Sequence, residues 1–369
     1  MWTFTLPTKI QFGAGVSKSC AQVARDYGRR PAVVTGKTLV KTDRVRSIIS
    51  DLGEVPVFSE VTPNPTVNQV DALARLIREQ GCDVVIAIGG GSPIDCAKAA
   101  SALVLSEESS IAAFFGGGKP LGAEHLPLIA IPTTSGTGSE VTPIAVLDDP
   151  ANSRKAPLSG PALYPVHALV DPELTLSLSR YTTAATALDA LSHALEGYWS
   201  KNHQPICDLA AIEAARRIFA NFERACTDPG DLQARTELSC AALLAGMAFQ
   251  LPKNAMVHAC SFPLSTRHHL AHGAACAFTL EFAVQFNAPA LGERFGDLAR
   301  ACHFSSAEAM AERIHTFKRL GGLPCTLADA GIAPEDLPEL VLASFHPLMN
   351  NNPREVTKED LGRMYGGLS

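Results

Sequence analysis

Asp189 and His193 stand four positions apart in ALDALSHALEG, so on a helix they share one face about a turn apart. Their neighbours are mostly Ala and Leu, where a carboxylate is costly unless something pairs with it. A divalent cation shared with His193 would supply that pairing, and so would a cap or a salt bridge. Further on, MVHACSFPLSTRHHLAHGAACAF carries His258, His268, His269 and His272 within fifteen residues. Spacing does not choose among them, since each could be an ordinary hydrogen-bonded buried histidine. One carboxylate with several imidazoles nevertheless makes a nitrogen and oxygen donor set suited to Fe2+ or Zn2+. Cys260 and Cys276 lie in the same segment as further donors or oxidation points.

A second centre of chemistry lies in DVVIAIGGGSPIDCAKAASALV, where a strand pattern runs into Gly89, Gly90 and Gly91 and a helix pattern follows at once. Glycines let backbone approach a bulky anion without a Cβ clash, and the N–H groups of a first helical turn can hold a pyrophosphate. Ser92 is the expected N-cap, Pro93 suits the first helical position, and Asp95 stands where a capping-box acid would. The segment is neither GxGxxG nor a P-loop, so it does not name its ligand, and a simple tight turn is the alternative. In IPTTSGTGSEVTP, Thr133, Thr134, Ser135, Thr137 and Ser139 follow a strand and can bond adenine, ribose or phosphate, or form a polar surface turn. PAVVTGKTLVKT ends a strand at Gly36 and Lys37, with Lys41 near and no carboxylate before Asp43. That leaves room and positive charge for the 2′-phosphate of NADP(H), although NAD(H) is not excluded.

The elements that must position these groups change character along the chain. Runs 31–36, 56–61, 83–91 and 127–132 read as short strands, and 67–81 places Val67, Val70, Leu73, Ala74 and Ile77 on one helical stripe. Alternating strands and helices predict a mainly parallel sheet covered on both faces. Segments 144–149 and 167–171 are expected to add strands. From about residue 176 the patterns at 183–199, 208–225, 234–250, 305–320 and 358–367 are helical. The expected fold class is α/β plus all-α, with residues 1–175 as a dinucleotide-binding domain and 176–369 as an all-helical metal-binding and substrate domain.

Composition narrows the role further. With 369 residues, 46% hydrophobic and 18% charged, the chain supports well-packed domains. A net charge of −6 gives no general attraction to nucleic acid or anionic lipid. No apolar run reaches membrane-spanning length, the N-terminus does not read as a signal peptide, and the ten cysteines form no CxxC pair. A cytoplasmic protein with free buried thiols is expected.

In order, these motifs resemble the iron-containing (group III) alcohol dehydrogenases over essentially the full length. Gly89 to Lys98 is similar to that family's pyrophosphate segment, with Asp95 near the nicotinamide, and Thr133, Thr134 and the Gly136–Ser139 turn to its second cofactor loop. Asp189, Ala190, His193 and Glu196 match its DAxxHxxE motif, while His258 and the pair His272 and Gly273 match its later ligand motifs. Asn352, Pro353 and Arg354 resemble its NPR signature, and Phe4, Pro7, Thr8, Phe12 and Gly13 its opening pattern. The resemblance implies a Rossmann-like domain followed by a helical metal-binding domain, a dehydroquinate synthase-like fold. It also implies Fe2+ or Zn2+ on Asp189, His193, His258 and His272, with Gly36, Lys37, Asn64, Gly89, Gly90, Gly91, Ser92, Asp95, Lys98, Thr133, Thr134, Thr137, Ser139 and Lys155 at the cofactor. NADP(H) is favoured because NAD-preferring members tend to carry Asp where Gly36 stands. Hydride transfer to or from a small alcohol or aldehyde follows, in a homodimer or higher homo-oligomer.

The departures are specific. Phe262 replaces a second histidine that can assist proton movement, Ala255 and Ser265 replace flanking glycines, and Ala271 replaces a proline. His268, His269 or water must then handle the proton. The competing readings are a reductase of acidic oxo substrates resembling maleylacetate reductase, a dehydroquinate synthase-like lyase, and a non-catalytic metal- and nucleotide-binding protein.

Overall fold

The computed structural model describes residues 1–115, 118–152 and 154–368. They form two compact units, one of Met1–Thr134 with Gly138–Thr175, the other of Leu176–Ser369 with Ser135–Thr137. The first is a Rossmann-like β/α unit. Its main sheet contains β1 (Lys9–Phe12), β2 (Pro31–Gly36), β3 (Val57–Val61), β4 (Val84–Gly89), β5 (Leu128–Pro132) and β8 (His167–Val170). The order is β1-β8-β5-β4-β2-β3, and every pairing is parallel. Helices α1 (Cys20–Tyr27), α2 (Asp43–Asp51), α3 (Val67–Glu79) and α4 (Gly91–Val104) accompany it. Apolar clusters built on Val33, Ile86 and Ile129 and on Val34, Val85 and Ala130 pack against different helices, which is why β4 is apolar without alternation.

The chain leaves β2 toward β3 at one edge, then returns beside β2 with β4 and continues through β5 the other way. Adjacent strands β2 and β4, paired through Pro31–Val84 and Val34–Ala87, therefore bracket the reversal, and they end in Gly36 and Gly89. A reversal of this kind opens a crevice at the strands' carboxyl ends, the general ligand position of open α/β sheets.

Two expectations for this unit change. The strand expected at 144–149 is β6 (Ile144–Asp149), but it lies outside the main sheet and pairs antiparallel with an unanticipated β7 (Arg154–Ser159). Its alternating buried and half-buried pattern suits a ribbon with one face covered. Strand β1 has no pattern of its own in the sequence, since four residues carry too little periodicity.

The second unit is helical: α5 (Arg180–Trp199), α6 (Pro205–Thr227), α7 (Leu232–Ala248), α8 (Met256–Thr266), α9 (His272–Leu291), α10 (Glu293–Ala301), α11 (Ala307–Gly321), α12 (Leu337–Ser344) and α13 (Lys358–Gly366). Helices α8 and α9, which carry the histidine-rich segment, are apolar on nearly all sides and so show no amphipathic stripe. Among the described residues no helix is long and apolar enough to cross a membrane, and all ten cysteines are free.

Candidate metal centre and cofactor cradle

Ser179 starts α5 by accepting the Thr182 N–H, and the following Ala/Leu-rich sequence buries most of the helix. Its spacing puts Asp189, His193 and Glu196 along one face, only 2%, 5% and 0% exposed. Asp189 Oδ1 has no hydrogen-bond partner among the described residues. Around it stand His272 Nε2 at 3.7 Å, His258 Nε2 at 3.8 Å and His193 Nδ1 at 3.9 Å. His258 Nε2 also lies 3.0 Å from His193 Nε2.

The separations among Asp189, His258 and His272 fit a shared ion. Donors about 2.1 Å from a tetrahedral ion stand about 3.4 Å apart. An acceptor buried without a partner is costly, and a cation among the four groups would satisfy it. Asp189, His258 and His272 thus come together with Cys276, all four ligand atoms within 4.8 Å of one another, and His193 adjoins them.

Glu196 has a function that its place in the motif did not reveal. One carboxylate oxygen accepts the Val257 N–H at 2.6 Å, in the buried first turn of α8, and the other lies 2.6 Å from His258 Nδ1. Nδ1 then carries the proton of the neutral ring, and in that form Nε2 is the lone-pair atom facing the cluster. His193 stacks on Phe249, with ring centroids 4.3 Å apart.

Burial dominates the electrostatics. It pushes the Asp189 carboxyl up to about 6, against the pull of His258, and drives His193 well below the usual imidazole value, so His193 is neutral and ready to donate. For His258 burial opposes the charge, but Cys276 and Glu196 outweigh it and raise its pKa well above the ordinary value.

Gly273 sets how closely the two ligand helices approach. A Cβ there would meet the Ala185 carbonyl oxygen at 2.2 Å and the Asp189 Cβ at 3.1 Å, so only glycine lets the start of α9 press onto α5 and carry His272 to Asp189. The sequence signal was present in the HG dipeptide, but its meaning depends on which helix faces it.

The proton-relay candidates lie elsewhere. His268 and His269 line a cavity of about 780 Å³ with Tyr181, His315, Arg319 and Asp329, and neither is part of the donor cluster. His269 takes a left-handed backbone, φ 57°. The Phe262 ring meets His346 edge-on at 5.1 Å, and Cys260 neighbours Tyr365 and Ser344.

In the first unit, Gly90 rather than Ser92 occupies the N-cap of α4, and no side chain caps that end among the described residues. The first-turn amides remain available to an anion. Ser92 instead accepts the Asn64 N–H at 3.3 Å, and Lys155 donates to Asn64 Oδ1 at 2.8 Å, which gathers Ser92, Asn64 and Lys155. A Cβ on Gly89 would strike Pro93 at 2.5 Å, and one on Gly90 would press Thr134 at 3.2 Å.

Asp95 is not a capping-box acid. It accepts Ser139 Oγ at 2.6 Å and the Val146 N–H at 2.9 Å, tying α4 to the hydroxyl loop and β6. Lys98 is wholly buried and donates to the carbonyls of Thr142 and Ile144, both at 2.8 Å, so its charge is committed inside the unit. Burial brings its pKa down to about 8. Thr133 extends the ladder by donating its N–H to the Gly89 carbonyl at 2.9 Å, while Thr137 groups with the helical unit. Lys37 pairs with Glu60 at 2.7 Å, both exposed. Gly36 has open space, the nearest atom to a Cβ being the Val61 oxygen at 3.8 Å.

Comparison with known proteins agrees across the whole chain. Residues 7–172 match the model described as iron-containing alcohol dehydrogenase, and residues 183–367 the C-terminal model of the Fe-containing alcohol dehydrogenase family. A crystal structure of sulfoacetaldehyde reductase from Bifidobacterium kashiwanohense in complex with NAD+ is 40% identical, with TM-score 0.95, covering 100% of this chain and 98% of that one. A 4-hydroxybutyrate dehydrogenase of Cupriavidus necator is 36% identical over 96% of both chains, and a lactaldehyde reductase of Escherichia coli (strain K12) is 31% identical over 96% of both.

Proposed function

This chain belongs to the iron-containing alcohol dehydrogenase family, and from that premise we propose that Asp189, His193, His258 and His272 hold its catalytic divalent ion, Fe2+ or alternatively Zn2+. The protein is a metal-dependent, nicotinamide-linked alcohol or aldehyde dehydrogenase. The observation that carries the metal assignment is the buried, unpartnered Asp189 Oδ1 facing three imidazole nitrogens at 3.7, 3.8 and 3.9 Å. In this reading residues 1–175 bind the cofactor, residues 176–369 bind metal and substrate, and two or more copies assemble.

A divalent ion held there would supply Lewis acidity toward the substrate oxygen, and a nicotinamide would supply or accept the hydride. The chain's own groups prepare this chemistry. Asp189 brings the negative charge, Glu196 fixes the tautomer and angle of His258, and Phe249 walls off His193. Phe262 carries no exchangeable proton, so we assign proton exchange with solvent to His268 and His269, whose cavity also includes Ala271, the residue before His272. The uncapped α4 N-terminus, with Ser92, Asn64 and Lys155 grouped beside it, is assigned to the cofactor's pyrophosphate.

For the ribose we propose a preference for NADP(H) over NAD(H). Gly36 ends β2 without a carboxylate to repel a 2′-phosphate, and Lys37 adds positive charge, moderated by Glu60. A second reading concerns the substrate. Sulfoacetaldehyde and 4-hydroxybutyrate, named in two of the relatives, both carry an anionic group away from the reacting carbon, which favours an acid-tailed aldehyde.

The test is anaerobic reconstitution with Fe2+ or Zn2+, followed by NADPH and NADH oxidation with uncharged and acid-tailed aldehydes. Stoichiometric oxidation that requires the metal is expected, with higher kcat/KM for NADPH. A protein carrying one metal per chain that turns over neither class of aldehyde would overturn the assignment.

A further inference from the structure

The metal centre contains one group that the four-residue site leaves unused. Cys276 lies one turn beyond His272 on α9, with Sγ 3.9 Å from His272 Nε2. Thus α9 repeats with His272 and Cys276 the i, i+4 arrangement that α5 makes with Asp189 and His193. The thiol is fully buried, and its sulfur belongs to the set of ligand atoms within 4.8 Å of one another that includes Asp189 and His258. The Asp189 oxygen that lacks a hydrogen-bond partner faces the same space. With metal–sulfur and metal–nitrogen bonds of about 2.3 and 2.1 Å, equatorial sulfur and nitrogen donors of a five-coordinate, trigonal-bipyramidal ion stand about 3.8 Å apart. The separation from His272 is within a few tenths of an ångström of that value.

We propose that Cys276 is a fifth donor of this centre, binding the divalent ion through its thiolate and biasing the site toward Zn2+ over Fe2+. The proposal rests on the metal-centre assignment made above. As the sulfur–metal bond forms the thiol proton passes to solvent, with no change in oxidation state. Soft thiolate ligation favours Zn2+ relative to a set made only of imidazole and carboxylate. A second anionic ligand also takes the formal charge of the centre from plus one to neutral, so the same residue tempers the pull on a substrate oxygen.

Cobalt substitution reads sulfur ligation directly. Metal-free full-length protein loaded with Co2+ is expected to show visible ligand-field bands together with an intense near-ultraviolet sulfur-to-cobalt charge-transfer band. Cys276→Ser should keep the visible bands and lose the near-ultraviolet one. Anaerobic loading from an equimolar Zn2+ and Fe2+ mixture should give a lower zinc-to-iron ratio in the variant by elemental analysis. One bound Co2+ per chain with visible bands but no charge-transfer band in the wild type overturns the role of Cys276 and leaves the metal centre standing. A band that survives in Cys276→Ser also overturns it, and failure to bind Co2+ at all overturns both readings.

Discussion

Replacing Gly273 by alanine adds one methyl group at the tightest approach between the ligand helices. The new Cβ would lie 2.2 Å from the Ala185 carbonyl oxygen, 2.7 Å from its carbon and 3.1 Å from Asp189 Cβ. Two of these are backbone atoms, which cannot turn aside as the end of a side chain can. To restore ordinary contact the start of α9 must retreat by about 1 Å. His272 travels with it, and its separation from Asp189 Oδ1, now 3.7 Å, widens. One tetrahedral ion needs its donors about 3.4 Å apart, so the displacement acts against binding. Overpacking of this kind costs about 1–3 kcal/mol. If that cost falls wholly on the metal-bound state, affinity drops by roughly 5- to 150-fold. The assay is metal stoichiometry and affinity after anaerobic reconstitution, beside thermal unfolding. Gly362→Ala is the control: it lies within α13, no described atom beyond its chain neighbours and the helix's own backbone is within 4 Å of its Cβ, and it should stabilise by about 0.5–1 kcal/mol. A Gly273→Ala protein that binds metal and unfolds like the wild type would refute the reasoning.

Glu196→Gln should weaken metal binding by about 10- to 100-fold, because the amide no longer enforces the His258 tautomer or offers the Val257 N–H a charged acceptor; unchanged affinity by chelator competition would count against that role. Gly36→Asp should shift the ratio of kcat/KM values toward NAD(H), since the open space there admits the side chain, and Glu60→Gln should shift it toward NADP(H) by freeing Lys37. An unchanged ratio in both variants would contradict the ribose assignment. Lys98 gives a pH signature: its folded pKa of about 8 lies below the ordinary 10.5, so across that interval the unfolded chain binds more protons and stability rises with pH. The stability of the wild type relative to Lys98→Met should therefore rise between about pH 8 and 10.5, by on the order of 3 kcal/mol, in denaturant titrations. A difference independent of pH would refute it.

Much of this molecule could be read from local pattern. The parallel strands 31–36 and 127–132 and the helix beginning at Val67 announce themselves, because burial on one or both faces imposes a period on a few consecutive residues. Helices α8 and α9 did not, because burial all round erases the period that marks a surface helix. Capping at α4 is not legible locally for a related reason: Ser92 and Asp95 have the right types and spacing for a cap, yet a distant N–H at Asn64 and the loop at Ser139 hold them instead.

The sequence by itself determined the donor types and the one-turn spacing of Asp189 and His193, since both follow from helix geometry. Resemblance then singled out His258 and His272 from four histidines. Only the tertiary structure decided that Glu196 orients His258, that Gly273 permits the helices to meet, and that Cys276 shares the donors' space. Those are contacts between α5, α8 and α9, and a local sequence pattern specifies which face an element buries without specifying which atom of another element will lie against it.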